Sequence, residues 1–277
     1  MKMTKLYAAA FALFTAVGAN ADAVINTPDG LRNFGGFDWA SNGSILIDSY
    51  NIQSGTGLLA GFSDTFTLQY QAYASSIYDK NGVTQLTPNL RLGTGSGYEY
   101  TINAQITEVA TCVVNGCSLV SITPLMGTYT IKYQAVGNAN AAGISGILDG
   151  TTLLSGILTG GSTVFSAQGP SNPGNASLSA TLFGTNQYTN AAFINPALGS
   201  TNVVSTLQFG TSTTAWTRPN SFDGVGVIGA DTSVRYIGQA DANQAFAVAA
   251  VPEPGALALV GLALGIAGVV TRKRKPA

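Results

Sequence analysis

From Tyr98 to Thr107 the side chains alternate strictly, with Tyr98, Tyr100, Ile102, Ala104 and Ile106 set against Glu99, Thr101, Asn103, Gln105 and Thr107. A β-strand turns successive side chains to opposite faces, so such a run has one face to bury and one to leave in water. The same period recurs at 65–72, where Phe66, Leu68, Tyr70 and Ala72 oppose Thr65, Thr67, Gln69 and Gln71. At 129–135 the apolar set is Tyr129, Ile131, Tyr133 and Ala135. Shorter candidate strands are Ile45–Tyr50, Thr163–Ala167, Leu178–Phe183, Val203–Phe209, Ser233–Gly238 and Ala245–Ala249. Between the two ends of the chain no comparably long stretch carries a helical period. Asn42-Gly43, Asn81-Gly82, Asn115-Gly116, Asp149-Gly150 and Asp223-Gly224 punctuate the runs as turn dipeptides. The pattern predicts an all-β fold, an antiparallel sandwich or jelly-roll-like single domain over residues 22–250.

Two local features refine that expectation. The segment Ile144–Gly150 recurs ten residues later as Leu154–Gly160, which reads as two arms of one hairpin-like unit. The Ser/Gly/Pro/Asn-rich stretch 169–177 reads as a loop within the same domain. Hydrophobic residues make up 45 % of the chain, enough for a real core, whereas charged residues are only 9 %. Away from the ends, Arg32, Lys80, Arg91, Lys132, Arg218 and Arg235 are the basic residues, scattered among twelve acids. Nucleic-acid binding needs clustered cations, so that function class is excluded.

The ends carry a different message. Lys2 and Lys5 precede the apolar run Leu6–Val17, and Ala19-Asn20-Ala21 supplies the small-x-small site that signal peptidase accepts. Residues 1–21 therefore read as a removable signal peptide. At the other end Val251-Pro252-Glu253-Pro254 leads into an uncharged span from Gly255 to Val270, closed by Arg272, Lys273, Arg274 and Lys275. The two prolines keep the motif extended. Sixteen residues of helix reach about 24 Å, short of a bilayer core of about 30 Å. The basic cluster would stop transfer on the cytoplasmic side and leave the domain outside.

This order of proline motif, short transmembrane helix and basic cluster over 251–277 resembles the PEP-CTERM sorting signal of Gram-negative bacteria that make extracellular polysaccharide. The resemblance implies recognition of Pro252, Glu253 and Pro254 by exosortase, a membrane protease-transpeptidase. It also implies a passing inner-membrane intermediate and delivery to the cell surface or extracellular matrix.

The remaining chemistry is sparse. The chain contains no histidine, which removes Ser-His-Asp and Cys-His catalysis and most zinc sites. No calcium-loop spacing occurs, and the sequence points to no cofactor, metal or catalytic residue. Asp29, Asp79, Asp149 and Asp223 sit at turn positions. Asp38 beside Trp39 is the most site-like pair, a candidate sugar contact with the indole as stacking face, against the plainer reading of an aromatic plug. Cys112 and Cys117 are a candidate disulfide in an exported chain, and direct pairing predicts a four-residue loop from Val113 to Gly116. Free thiols are the other reading.

Gly36-Phe37-Asp38-Trp39-Ala40 and the Tyr/Gln-rich run Phe66–Tyr73 resemble the flocculation-associated branch of PEP-CTERM proteins. That likeness implies a non-enzymatic role in flocs or biofilm, with exopolysaccharide as a partner. A lectin-like module using Trp39, and more remotely a two-carboxylate glycosidase, are the alternatives. The tail makes the first prediction. Intact-mass measurement of protein from the cell surface or medium should give a species ending near residues 250–254. Full-length protein through Ala277, found only in the membrane fraction, would show a permanent anchor instead.

Overall fold

Long strands with alternating apolar side chains have one face to hide, and eight of them hide it here by closing on one another. The structure, a computed structural model, describes residues 22–249 apart from 53–56, 92–96, 141–144, 167–175, 210–215 and 233. The expected signal peptide at 1–21 and the whole sorting tail lie outside the described residues, as does most of the loop expected at 169–177. In chain order the strands are β1 (Ala23–Thr27), β2 (Gly30–Phe34), β3 (Gly36–Asp48), β4 (Ser63–Tyr78), β5 (Glu99–Cys112), β6 (Leu119–Gln134) and β7 (Thr151–Ser166). They continue as β8 (Ala176–Thr189), β9 (Ile194–Asn195), β10 (Leu198–Phe209), β11 (Ser221–Phe222), β12 (Gly226–Val227) and β13 (Arg235–Val248).

The all-β antiparallel expectation holds. The large sheet runs β3-β4-β5-β6-β7-β8-β10-β13 and returns to β3, a closed barrel in which every neighbour is antiparallel and the next barrel strand in sequence. Opposite walls face each other across a common core, as the two sheets of a sandwich do. Phe66, Leu68, Tyr70 and Ala72 of β4 point inward, as do Ile102, Ala104 and Ile106 of β5 and Tyr129 and Ile131 of β6.

One face was expected to be solvated throughout, and part of it is not. Gln69, Gln71 and Tyr73, on the outer side of β4, are buried. The long connection before β13 folds back over them, and Phe222 and Ile228 pack with Leu46, Tyr73, Ile147 and Ile237 in a second apolar cluster. Gln71 fixes this cover in both directions. Its Nε2 donates to the Asp223 carbonyl at 2.8 Å, and its Oε1 accepts from the Asp223 N–H at 3.1 Å.

Two other local expectations change. Asn42-Gly43 is no turn but an irregularity inside β3, where pairing to β4 jumps from Trp39 to Ser44. Glycine is needed there for proximity, since a Cβ would stand 2.8 Å from the Ala240 carbonyl and 3.0 Å from the Tyr70 ring. The repeat at 144–150 and 154–160 forms no hairpin. Its described first-copy residues, 145–150, precede β7, and the second copy lies within β7. Asp149-Gly150 and Asp223-Gly224 do turn the chain, with Gly150 and Gly224 at φ 83° and 79°.

The ends of the barrel differ. At the end where β3 begins and β13 finishes, Phe37 packs against Phe34, Trp39 and Tyr100 at centroid distances of 5.0–5.1 Å. The small sheet β2-β1-β9 belongs to this end, with Ile25 and Phe34 in the core. Both limits of the described unit lie here as well. Val24 pairs with Asn195, and the Ala249 N–H donates to the Ala197 carbonyl at 3.0 Å.

Close approach at this end gives a prediction. A Cβ on Gly36 would overlap the Gln244 carbonyl oxygen and the Tyr78 ring, whereas one on Gly229 meets open space. Overpacking of this kind costs about 1–3 kcal/mol. Thermal melts should show Gly36→Ala several degrees below the wild type and Gly229→Ala unchanged, and equal melting points would refute the packing argument.

Candidate functional site

The structure separates the residues singled out from sequence. Pro252, Glu253, Pro254 and the cluster Arg272, Lys273, Arg274 and Lys275 lie outside the described residues. Cys112 and Cys117 are joined in a disulfide, with Cα atoms 4.8 Å apart. The loop they close differs from the one expected. Cys112 ends β5 opposite Val120, and Cys117 sits inside the turn at φ 52° rather than across the ladder. The bridge cross-links a turn, which is held against the preceding loop by a Gly116 N–H donated to the Leu58 carbonyl at 2.7 Å.

Asp38 and Trp39 do not make a surface site. Trp39 is 1 % exposed and stacked into the aromatic end of the barrel, so neither face of its indole is open to a sugar. Asp38 points the other way, and its carboxylate accepts from the Ser75 hydroxyl at 2.8 Å. Of the turn acids, Asp79 bonds its own turn and Asp29 bridges to a distant segment. Asp79 accepts from the N–H groups of Asn81 and Val83 at 2.8 and 2.9 Å, and Asp29 accepts from the Tyr98 hydroxyl at 2.9 Å. Among the described residues no three potential metal-ligating side chains cluster.

A constellation that sequence reasoning missed lies inside the barrel. A cavity of about 50 Å³ is walled by Ile, Leu, Val and Ala from most of the barrel strands, and Glu108, Tyr70, Tyr129 and Gln244 also face it. Glu108 is 7 % exposed, and burial alone pushes its carboxyl up to about 7, with no hydrogen bond or cation to offset the cost. The Tyr70 hydroxyl and the Gln244 Oε1 are buried without a partner. Gln244 uses its Nε2 on the Thr201 hydroxyl at 3.1 Å, and Tyr129 donates to Asn186 Oδ1 at 2.9 Å.

Local sequence puts the carboxyl there. Glu108 continues the inward phase Ile102, Ala104, Ile106 into Ala110, so alternation carries it to the core side. Its partner on β6 is Pro124, beside a bulge at Leu125 that shifts the register between Thr107 and Glu108. A proline inside a strand is tolerated at such bulges, and bulges re-aim the side chains beside them. Glu99 shows the contrast. It is also buried, and burial raises its carboxyl, but the N–H groups of Asn138 and Ala139 donate to it at 2.8 and 2.9 Å. Glu99 has two backbone donors on Oε1 while its Oε2 is buried without one, whereas Glu108 makes no hydrogen bond at all.

Residues 250–275 match the family model of the PEP-CTERM protein-sorting motif. No curated protein and no solved structure matches the chain. The sorting motif thus agrees with the resemblance read from the tail, and it marks the chain for exosortase processing, export and cell-surface targeting.

The buried carboxyl sets a pH dependence. A carboxyl raised from 4.5 to about 7 in the folded state is protonated there while the unfolded chain has already lost its proton. Its contribution is therefore most favourable below pH 4.5, declines as pH rises to 7, and is flat above, a total of about 3 kcal/mol. Glu108→Gln removes that slope. Denaturant melts should show the variant gaining on the wild type by about that amount between pH 4.5 and 7. A stability difference that does not vary with pH would contradict the placement of the carboxyl.

Proposed function

We propose that the barrel is a non-enzymatic component of the cell surface or extracellular matrix that supports flocculation or biofilm through association with exopolysaccharide. The observation that carries this reading is the sorting motif at 250–275. On β5 and β6 the outward side chains include Gln105, Thr107, Ser121, Thr123, Thr128 and Thr130. Hydroxyls and amides of this kind exchange hydrogen bonds with a hydrated polymer with little dependence on salt. The apolar phase of β4, β5 and β6 faces the interior, whereas a membrane-spanning barrel turns its apolar side chains to lipid.

The resemblance to the flocculation-associated branch supports the same role. Its residues serve the fold, since Phe37 and Trp39 fill the aromatic end and Phe66, Tyr70 and Ala72 fill the barrel. Polymer would then meet the outer walls instead of those motifs. The lectin-like alternative loses ground because its stacking residue, Trp39, is buried. Signal peptidase and a brief inner-membrane stage complete the proposed route.

Deletion of the gene and measurement of floc formation test the role. We expect reduced aggregation, restored by the intact gene and not by one truncated after Ala249. Wild-type flocculation in the deletion strain, with unchanged surface polymer, would remove the proposal.

A further inference from the structure

Charge is distributed unevenly around the barrel. The chain carries 12 basic and 13 acidic residues, yet none of them lies between Gly150 and Thr217. That stretch supplies three neighbouring barrel strands, β7, β8 and β10. Every other barrel strand has at least one charged residue: Asp38 in β3, Asp64 in β4, Glu99 in β5, Lys132 in β6 and Asp241 in β13. Among the described residues three aromatic side chains are exposed. Two of them, Phe183 at 53 % and Tyr188 at 46 %, stand on β8, in the middle of the uncharged wall.

The ladder registers put both rings on the outer face. Leu182 and Asn186 are buried, so the alternation turns Phe183 and Thr185 outward. Gln187 is an extra residue in the pairing to β7, and this bulge brings Tyr188 to the outside too, opposite Ser155. The two rings lie roughly 15 Å apart along the strand. Neutral hydrogen-bonding groups lie between and beside them. From β10, Asn202 pairs with Phe183 and Ser200 with Thr185, and both are exposed.

Two exposed rings set among hydroxyls and amides match a partner that is apolar on its faces and hydroxylated at its edges. A pyranose has C–H groups on its faces, which pack against aromatic rings, and hydroxyls around its rim, which bond to threonine, serine and asparagine directly or through water. An acidic polymer would find no lysine or arginine on these three strands. A second copy of the chain is the other occupant such a face could take, but stable protein interfaces bury about 1,200 Å² or more, and two rings separated by a threonine do not supply that. We propose that the outer wall of β7, β8 and β10 is a binding platform for an uncharged polysaccharide, which stacks on Phe183 and Tyr188 and hydrogen-bonds to the polar side chains beside them. The proposal rests on the reading of the protein as a partner of exopolysaccharide, and it names the face and the class of polymer.

The test uses protein purified as the host exports it. The host's extracellular polysaccharide is split by anion exchange into an unretained neutral fraction and a retained acidic one, and each is immobilised on beads. The wild type should bind the neutral fraction, with little change when salt is raised to roughly 0.5 M. Phe183→Ala and Tyr188→Ala should each weaken binding several-fold and the double variant about tenfold or more, with melting points at the wild-type value because both side chains are exposed. Tyr188→Phe, which keeps the ring, should stay near the wild type, as should Leu86→Ala, an exposed apolar side chain outside this wall. Equal binding by the wild type and the double variant would overturn the site and leave the wider association standing. Binding confined to the acidic fraction, or lost in salt, would overturn the neutral class. Self-association of the wild type that the double variant loses, with no polymer bound, would assign the face to a second copy instead. No binding to either fraction and no self-association would remove the exopolysaccharide reading itself, and the platform with it.

Discussion

The rest of the structure depends on the hydrogen-bonded closure of β13 between β10 and β3. Without that strand the sheet would keep two open edges, each a template for pairing with other chains. With it, every barrel strand has a partner on both sides, and a protein displayed among its own copies offers no free barrel edge. Closure also fixes the bore. Eight strands leave an interior just wide enough for side chains, so large and small residues must share each level. Tyr129 lies where Gly156 has no Cβ, and Tyr70 lies against Gly43 and near Ala240. The aromatic end serves the same constraint, because Phe37, Trp39 and Tyr100 fill a mouth that strands alone would leave open.

The buried polar side chains fall into two groups. Glu99, Asn186 and Thr201 have partners and fix neighbouring segments, Glu99 by capping the backbone at Asn138 and Ala139 and Asn186 by accepting from Tyr129. The Tyr70 hydroxyl and the Gln244 Oε1 do not, and Glu108, beside a bulge in β6, makes no hydrogen bond. A core selected for stability alone would carry leucine or methionine at position 108, because an uncompensated carboxyl in an apolar interior is a standing penalty. Glu99 offsets part of its burial through backbone donors on Oε1, and Glu108 has no such offset.

Much of the fold was legible because long strands repeat their own period many times. The runs in β4, β5 and β6 each show their inward set over four or more positions. β13 was read as two fragments, since Gln239 to Gln244 places only Ala240, Ala242 and Gln244 on the inside, and alanine barely marks a face. The two- and five-residue strands β1, β2, β9, β11 and β12 are too short to show a period. Closure was not legible either, since local alternation is the same in a sandwich wall and a barrel wall. The site was hidden for a related reason. Trp39 and Asp38 stood out as types, but an aromatic next to an acid is what a plugged barrel mouth contains. Glu108 stood at an apolar phase position just past the run read as a strand, and the sign was its place in the period.

The two-sided pairing of β13 has a mechanical consequence. The chain leaves the barrel at Ala249, at the end of a fourteen-residue strand that is bonded along nearly its whole length to β10 and β3. A pull parallel to the strand would load both ladders in shear, so that their hydrogen bonds share the force instead of opening one at a time as in a peeled hairpin. The barrel therefore resists a pull along β13 better than one that peels the strand away.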